Sequence, residues 1–232
     1  MFSLENVSKI YNDSGISFKA LDNVNLRIDK NEIVSIIGKS GSGKTTLLNV
    51  MSTIANSSEG KVYYKDILLD ELDEKEKARI RLSNFGFVFQ KYELFQNLNI
   101  YDNIIIPVKL LGNNVDNNYI EEIIELLGLD EQRNKMPYEL SGGQQQRVAI
   151  ARAISTKPEV IFADEPTGNL DSQNSNMIIK LFFDLVHKYK STLIYVTHDV
   201  NLAKKAGRML TILDGKVIWK NEFNNSKEFF QR

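Results

Sequence analysis

Three short stretches of the sequence combine glycines, hydroxyls, a lysine and acids in patterns suited to phosphate chemistry. The first is Gly38-Lys39-Ser40-Gly41-Ser42-Gly43-Lys44-Thr45, with Thr46 next. Gly38, Gly41 and Gly43 permit backbone angles that other residues resist, so successive N–H groups can turn toward one anion. Lys44 supplies a point charge to the outer phosphates of a nucleoside triphosphate, and the Thr45 hydroxyl is placed to ligate Mg²⁺. The second is Ser141-Gly142-Gly143-Gln144, running on through Gln145-Gln146-Arg147. It reads as a helix start whose N–H groups form a second anion site with no lysine of its own. A plain Ser N-cap would account for Ser141 but not for the whole string from Leu140 to Arg147. The third is Asp164-Glu165, closing the apolar run Val160-Ile161-Phe162-Ala163. Asp164 can hold Mg²⁺, usually through water, and Glu165 can polarise the water that attacks a γ-phosphate. A solvated pair of loop acids is the bland alternative. Two phosphate-binding helix starts in one chain are odd for a monomer. They make sense in a dimer where each site borrows half from the other copy.

The elements around these stretches are those of an α/β chain. Ile33-Val34-Ser35-Ile36-Ile37 is apolar at nearly every position, as a buried parallel strand should be, and it feeds the glycine loop. Leu47, Leu48, Val50 and Met51 carry the following helix into the core. Phe85 to Phe89, Val160 to Ala163 and Ser191 to Thr197 are further central strands. They end at Gln90, at the two acids and at His198; for the acids the place is suggestive, since a strand end is where open α/β sheets bind ligands. Upstream, Phe2 to Ser8 alternates imperfectly, while Leu21, Val24, Leu26 and Ile28 alternate more cleanly. Both read as strands of an antiparallel layer with a turn at Asn12-Asp13-Ser14-Gly15. Asp73 to Leu82 is a charged helix whose charges are a soluble face. Beyond Gln90 the pattern turns helical, over Tyr101 to Leu111 and Tyr119 to Leu127, with Gly128 as the cap of the second. We assign 91–157 to an inserted helical lobe and 1–90 with 158–232 to the nucleotide-binding core, together one domain. Leu210 to Leu213, Asp214-Gly215 and Lys216 to Trp219 form a hairpin. His187 sits beside Lys188 in a helix and is expected to be exposed.

The totals narrow the function classes. At 232 residues the chain can bury one sizeable core. A formal net charge of −1 leaves no basic excess for a nucleic-acid partner. Cysteine is absent, which removes thiol catalysis and thiolate metal sites. Met1-Phe2-Ser3-Leu4-Glu5 lacks the basic start and apolar centre of a signal peptide. The densest apolar run, Ile104 to Leu111, is broken by Pro107 and Lys109 and is far short of a membrane span. The expectation is a soluble chain which, if it works at a membrane, is held there by a partner.

In sequence order, Gly38 to Thr46, Phe89-Gln90-Lys91-Tyr92-Glu93-Leu94-Phe95, Leu140 to Arg147, Ala163-Asp164-Glu165-Pro166, Thr167-Gly168-Asn169-Leu170-Asp171-Ser172 and Thr197-His198 resemble the motifs of ATP-binding cassette (ABC) ATPases over nearly the whole chain. The resemblance implies a P-loop (RecA-like) core with an N-terminal antiparallel layer and an inserted helical lobe. It implies ATP and Mg²⁺ as ligands. By resemblance, Tyr11 stacks on adenine, although a strand-end aromatic packed on a neighbour is the bland reading. Gln90 reaches Mg²⁺ and the attacking water, and His198 hydrogen-bonds the γ-phosphate, where a structural histidine is the default. Asp171 faces a second copy of the chain. Within the family the triple Gln144-Gln145-Gln146 and the 163–172 string are most similar to lipoprotein-release, macrolide-export and peptide-resistance ATPases. That subgroup implies a homodimer under an ABC permease, at the cytoplasmic face of the membrane. A signalling or cell-division module without cargo shares every motif. The chain departs from the family at Met51-Ser52-Thr53-Ile54-Ala55-Asn56 and at Asn31-Glu32, away from the chemistry.

Overall fold

The N-terminal strands explain their own imperfect alternation. In the computed structural model, which describes residues 1–13, 16–168 and 172–218, β1 (Phe2–Asp13) pairs antiparallel with β2 (Ile16–Ile28). Phe2, Leu4 and Val7 are all buried, a phase break that strict alternation forbids. Asn6 and Asn23 make the break. Both take left-handed backbone angles (φ 53° and 52°), and the β1–β2 register shifts between Leu4 and Val7. Asn tolerates that region better than other side chains, and a bulge there turns the next residue back to the core. Asn25 Nδ2 donates to Asn6 Oδ1 at 3.0 Å, and Asn6 N–H donates to Asn25 Oδ1 at 3.0 Å, fastening the bulge.

The chain continues through β3 (Ile33–Ile37), α1 (Lys44–Met51), β4 (Glu59–Tyr64), β5 (Ile67–Leu68), α2 (Glu74–Asn84) and β6 (Phe85–Val88). Then come α3 (Ile100–Leu110), α4 (Asn117–Leu126), α5 (Gly142–Ile154), β7 (Val160–Asp164) and α6 (Ser172–Tyr189). It ends with β8 (Thr192–Val196), α7 (Val200–Ala203), β9 (Arg208–Leu213) and β10 (Lys216–Ile218). Two units result, one of residues 1–77 with 194 onward, the other of 78–193. The expected Ser14-Gly15 of the first turn, the strand end Trp219 and the polar tail lie outside the described residues.

In the first unit, β2-β1-β4-β5 form an antiparallel sheet. All five residues of β3 are buried, and β3 runs parallel to β9. The β9–β10 hairpin turns at Asp214-Gly215 as its sequence predicts. Its tip is fastened to the phosphate loop, since Gly215 N–H donates to the Ser42 carbonyl at 3.0 Å. One expectation needs correcting. The charged run at 73–82 is not wholly a soluble face, because Lys77 is only 5% exposed. Its ammonium donates to Asn56 Oδ1 at 2.8 Å and lies 3.6 Å from Glu74 Oε1, an acceptor and a countercharge that offset the cost of burial.

In the second unit, β6 and β7 pair in parallel, Phe85 with Val160 through Val88 with Ala163. The Phe162 ring meets Phe85 edge-on at 5.2 Å and stacks on Phe87 at 5.8 Å. Helix α5 lies close on this pair. A Cβ on Gly86 would stand 2.2 Å from the Ala153 carbonyl oxygen, so only glycine admits the approach. Helices α3, α4 and α5 fill most of 91–157. Asn99 caps α3 and Asp116 caps α4, each accepting from the N–H three residues on. α4 buries Ile120, Ile123 and Ile124 on one face and leaves Leu126 exposed.

Candidate functional site

The phosphate loop of the first unit is built by strand β3, a six-residue turn and helix α1. Gly43 is the N-cap of α1 at φ 104°, and a Cβ there would stand 2.3 Å from the Ala20 carbonyl oxygen. Gly38 is equally constrained, with Ile212 O at 2.3 Å from a Cβ. The glycines thus let backbone pass backbone, and the open N-terminus of α1 carries the positive end of the helix. Lys44 folds back over the loop, its Nζ donating to the Gly38 and Lys39 carbonyls at 3.0 and 2.9 Å. An anion entering the loop would compete for those donors. Thr45 is exposed on the first turn and Thr46 is half-buried. The Ser42 hydroxyl is buried and has no hydrogen-bond partner among the described residues, an orphan donor in a loop suited to phosphate oxygens. His198, also exposed, follows β8 in the same unit. Thr197 N–H donates to the Ile36 carbonyl at 3.1 Å, so His198 leaves its strand at the end where Gly38 begins. Tyr11 is 42% exposed, with Lys9 Nζ 5.0 Å from its ring centroid.

The acids and the two glutamine-bearing motifs sit in the second unit. β7 is buried from Val160 to Ala163 and releases Asp164 and Glu165 half-buried at its end. Glu165 has a left-handed backbone (φ 47°), a conformation that costs an ordinary L-residue about 1–2 kcal/mol. Strain of this kind persists where the surroundings over-determine it. Here Gly168 N–H donates to the Glu165 carbonyl at 3.0 Å and closes a tight turn. A Cβ on Gly168 would stand 3.1 Å from Gln90 Nε2 and 3.3 Å from Glu165 Cβ. The structure therefore brings Gln90 and Glu165 close to Gly168 and so to each other. Gly168→Ala is expected to displace the Gln90 amide and to lower turnover roughly tenfold, with the melting temperature near wild type. A steady-state ATPase assay checks this, and an unchanged kcat would remove Gln90 from the reacting geometry.

Ser141 is the N-cap of α5, its Oγ accepting from Gln144 N–H at 3.4 Å while Gln144 Oε1 accepts from Ser141 N–H at 2.9 Å. This capping box engages the third N–H of the helix. Gly142 and Gly143 occupy the first two positions, whose N–H groups have no intrahelical acceptor by helix geometry. Asp171, with Asn169 and Leu170, lies outside the described residues. His187 is exposed on α6, as expected.

Three residues of importance to this geometry were not singled out by sequence reasoning. Asn103, fully buried on α3, accepts from Phe95 N–H at 2.8 Å and donates to the Phe95 and Leu98 carbonyls at 3.0 and 2.9 Å. A polar residue inside the apolar repeat of α3 was the available signal. Arg152 donates to two carbonyls in the loop after Gln90. Gly168 gave no signal beyond its place in the 163–172 string.

A glycine loop that feeds a helix N-terminus, with paired acids at the end of a buried parallel strand, defines the nucleoside-triphosphatases of the P-loop class. A family profile described as ABC transporter matches residues 21–168. The lipoprotein-releasing system ATP-binding protein LolD of Bacteroides thetaiotaomicron is 40% identical over 94% of this chain and 99% of its own length. The macrolide export ATP-binding/permease protein MacB of Campylobacter fetus is 40% identical over 94% of this chain, which spans 34% of that protein. Among solved structures, the dimeric post-hydrolysis state of the ATP-binding cassette MJ0796 of Methanocaldococcus jannaschii, bound to ADP and Pi, matches with a TM-score of 0.87. It is 39% identical and the match covers 94% of this chain and 97% of that one. The chain belongs to the ABC transporter family, as its ATP-binding, ATP-hydrolysing subunit. These relatives favour transport over a signalling module without cargo. No helix among the described residues is long and apolar enough to cross a membrane.

Proposed function

We propose that two copies of this chain sandwich two Mg·ATP and drive an ABC permease of the lipoprotein-release and macrolide-export type, working at the cytoplasmic face of the membrane. The observation that carries the dimer is the pair of anion-ready helix starts, α1 with its lysine and α5 without one. In each site one copy supplies Tyr11, the 38–45 loop, Thr46, Gln90, Asp164, Glu165 and His198. The other supplies Ser141, Gly142, Gly143, Gln144 and Asp171. Lys44 would leave its two loop carbonyls for the outer phosphates. Glu165 would orient the attacking water and accept its proton as the water oxygen bonds the γ-phosphorus and the bridging P–O bond to the β-phosphate breaks, releasing ADP and phosphate. Gln90, beside Glu165, would hold the same water, and His198 the γ-phosphate. Thr45, Gln90 and Asp164 are all oxygen donors, the set that Mg²⁺ prefers, and they would hold it. When bound, the ion would neutralise charge on the phosphates. The subgroup rests on the LolD and MacB relatives, whose names describe lipoprotein release and macrolide export.

The test is capture of the permease. Glu165→Gln protein with ATP is used as bait on detergent-solubilised membranes of the source cell. The expected catch is a permease with few membrane helices and a large outer domain. Recovery of ribosomes or DNA with no membrane protein would overturn the reading.

A further inference from the structure

We propose that Arg152 is a positioning residue for Gln90, acting through the backbone of the loop between them. The proposal rests on the role given to Gln90 above. All of its parts lie in the second unit. Directly after Gln90 and Lys91, Tyr92 and Glu93 both take left-handed backbone angles (φ 62° and 48°). Two such residues in succession, neither of them glycine, store strain that would relax if nothing held it. Local bonds begin the turn: Tyr92 N–H donates to the Phe89 carbonyl at 3.0 Å and Glu93 N–H to the Lys91 carbonyl at 2.7 Å. The carbonyls of the same two residues then point to one partner. Arg152 Nη2 donates to Tyr92 O at 2.7 Å and Nη1 to Glu93 O at 2.6 Å. One rigid guanidinium fork therefore fixes two consecutive strained peptides, which a single-point ammonium could not do as well.

The fork is itself held in place. It stands in the last turns of α5, and the neighbouring Ala153 carbonyl is the group that sits where a Gly86 side chain would be. That close approach locks α5 to β6, the strand that leads to Gln90. Farther along the loop, Asn103 secures Phe95 and Leu98 from α3. The segment bearing Gln90 is thus fastened to the helix whose first turn is Ser141-Gly142-Gly143.

The test is a kinetic cycle on the full chain, with ATPase assays of wild type, Gln90→Ala, Arg152→Gln, Arg152→Lys and the double variant Gln90→Ala/Arg152→Gln. Arg152→Gln is expected to lower kcat roughly tenfold with KM for ATP within about twofold, since it disturbs geometry at the reacting water and not nucleotide binding. Arg152→Lys keeps the charge but not the fork and is expected to be intermediate. The double variant is expected to be no slower than Gln90→Ala within about twofold, because the arginine acts only through the glutamine. If Gln90→Ala is slow but Arg152→Gln has wild-type kcat, or if the two losses multiply, the positioning role is overturned. If Gln90→Ala itself has wild-type kcat, the role of Gln90 has failed and the proposal falls with it. Should Arg152→Gln not fold, Arg152→Lys decides: reduced kcat at unchanged KM supports the proposal, and wild-type kcat overturns it.

Discussion

Glu165→Gln is expected to lower kcat for ATP hydrolysis by about 10²–10³-fold while leaving ATP binding intact. Glutamine keeps the size and one acceptor oxygen of glutamate but cannot polarise water as a carboxylate does. The left-handed backbone at this position and the turn closed by Gly168 N–H do not depend on the charge. The loss therefore falls on chemistry and not on folding. With hydrolysis blocked, the ATP-bound pair should accumulate, so size-exclusion chromatography is expected to show a dimer with ATP and none with ADP. A Glu165→Gln chain that stays monomeric in ATP, or that turns over at the wild-type rate, would remove Glu165 from the role of base.

Lys44→Ala is expected to weaken ATP binding by about 2–3 kcal/mol, or roughly 30- to 150-fold, through loss of a charge-assisted contact to the phosphates. The fold should survive. Among the described residues Lys44 Nζ hydrogen-bonds the Gly38 and Lys39 carbonyls, and Lys39 is exposed, so water can replace the lost donors. The measurement is thermal unfolding with and without ATP. Wild type is expected to rise in melting temperature as ATP is added, because ligand stabilises only the folded state. Lys44→Ala is expected to start from nearly the same melting temperature and show almost no rise. A normal ATP-induced rise would mean the phosphates are held elsewhere.

The two substitutions act on opposite sides of the reaction and separate cleanly. One is expected to bind and not hydrolyse, the other to fold and not bind. A chain in which both behaved alike would point to a folding defect.

Local sequence was enough to single out the residues proposed for the chemistry. The 38–45 loop, Ser141 to Gln144 and the 164–165 acids stand out because phosphate chemistry favours particular side chains at short, fixed spacings, whereas Gln90 and His198 are marked only by the family resemblance. Central strands were legible because burial on both faces leaves an uninterrupted apolar run, as in β3 and β7. Capping was legible for the same reason of locality: Ser141 with Gln144 is an interaction across three residues. The links between positions far apart along the chain emerged only on folding. The pairing of Asn6 with Asn25 is one case, since each asparagine alone looks like an irregularity. The burial of Lys77 in a helix that otherwise reads as solvated is another, because its partner Asn56 lies outside that helix, 21 residues upstream. The meeting of Gln90 with Glu165 across Gly168 spans 75 residues or more, and the fork of Arg152 on Tyr92 and Glu93 spans about sixty. Side-chain type sets what a residue can bond. Which distant backbone group it finds depends on how helices and strands pack, and no local pattern encodes that.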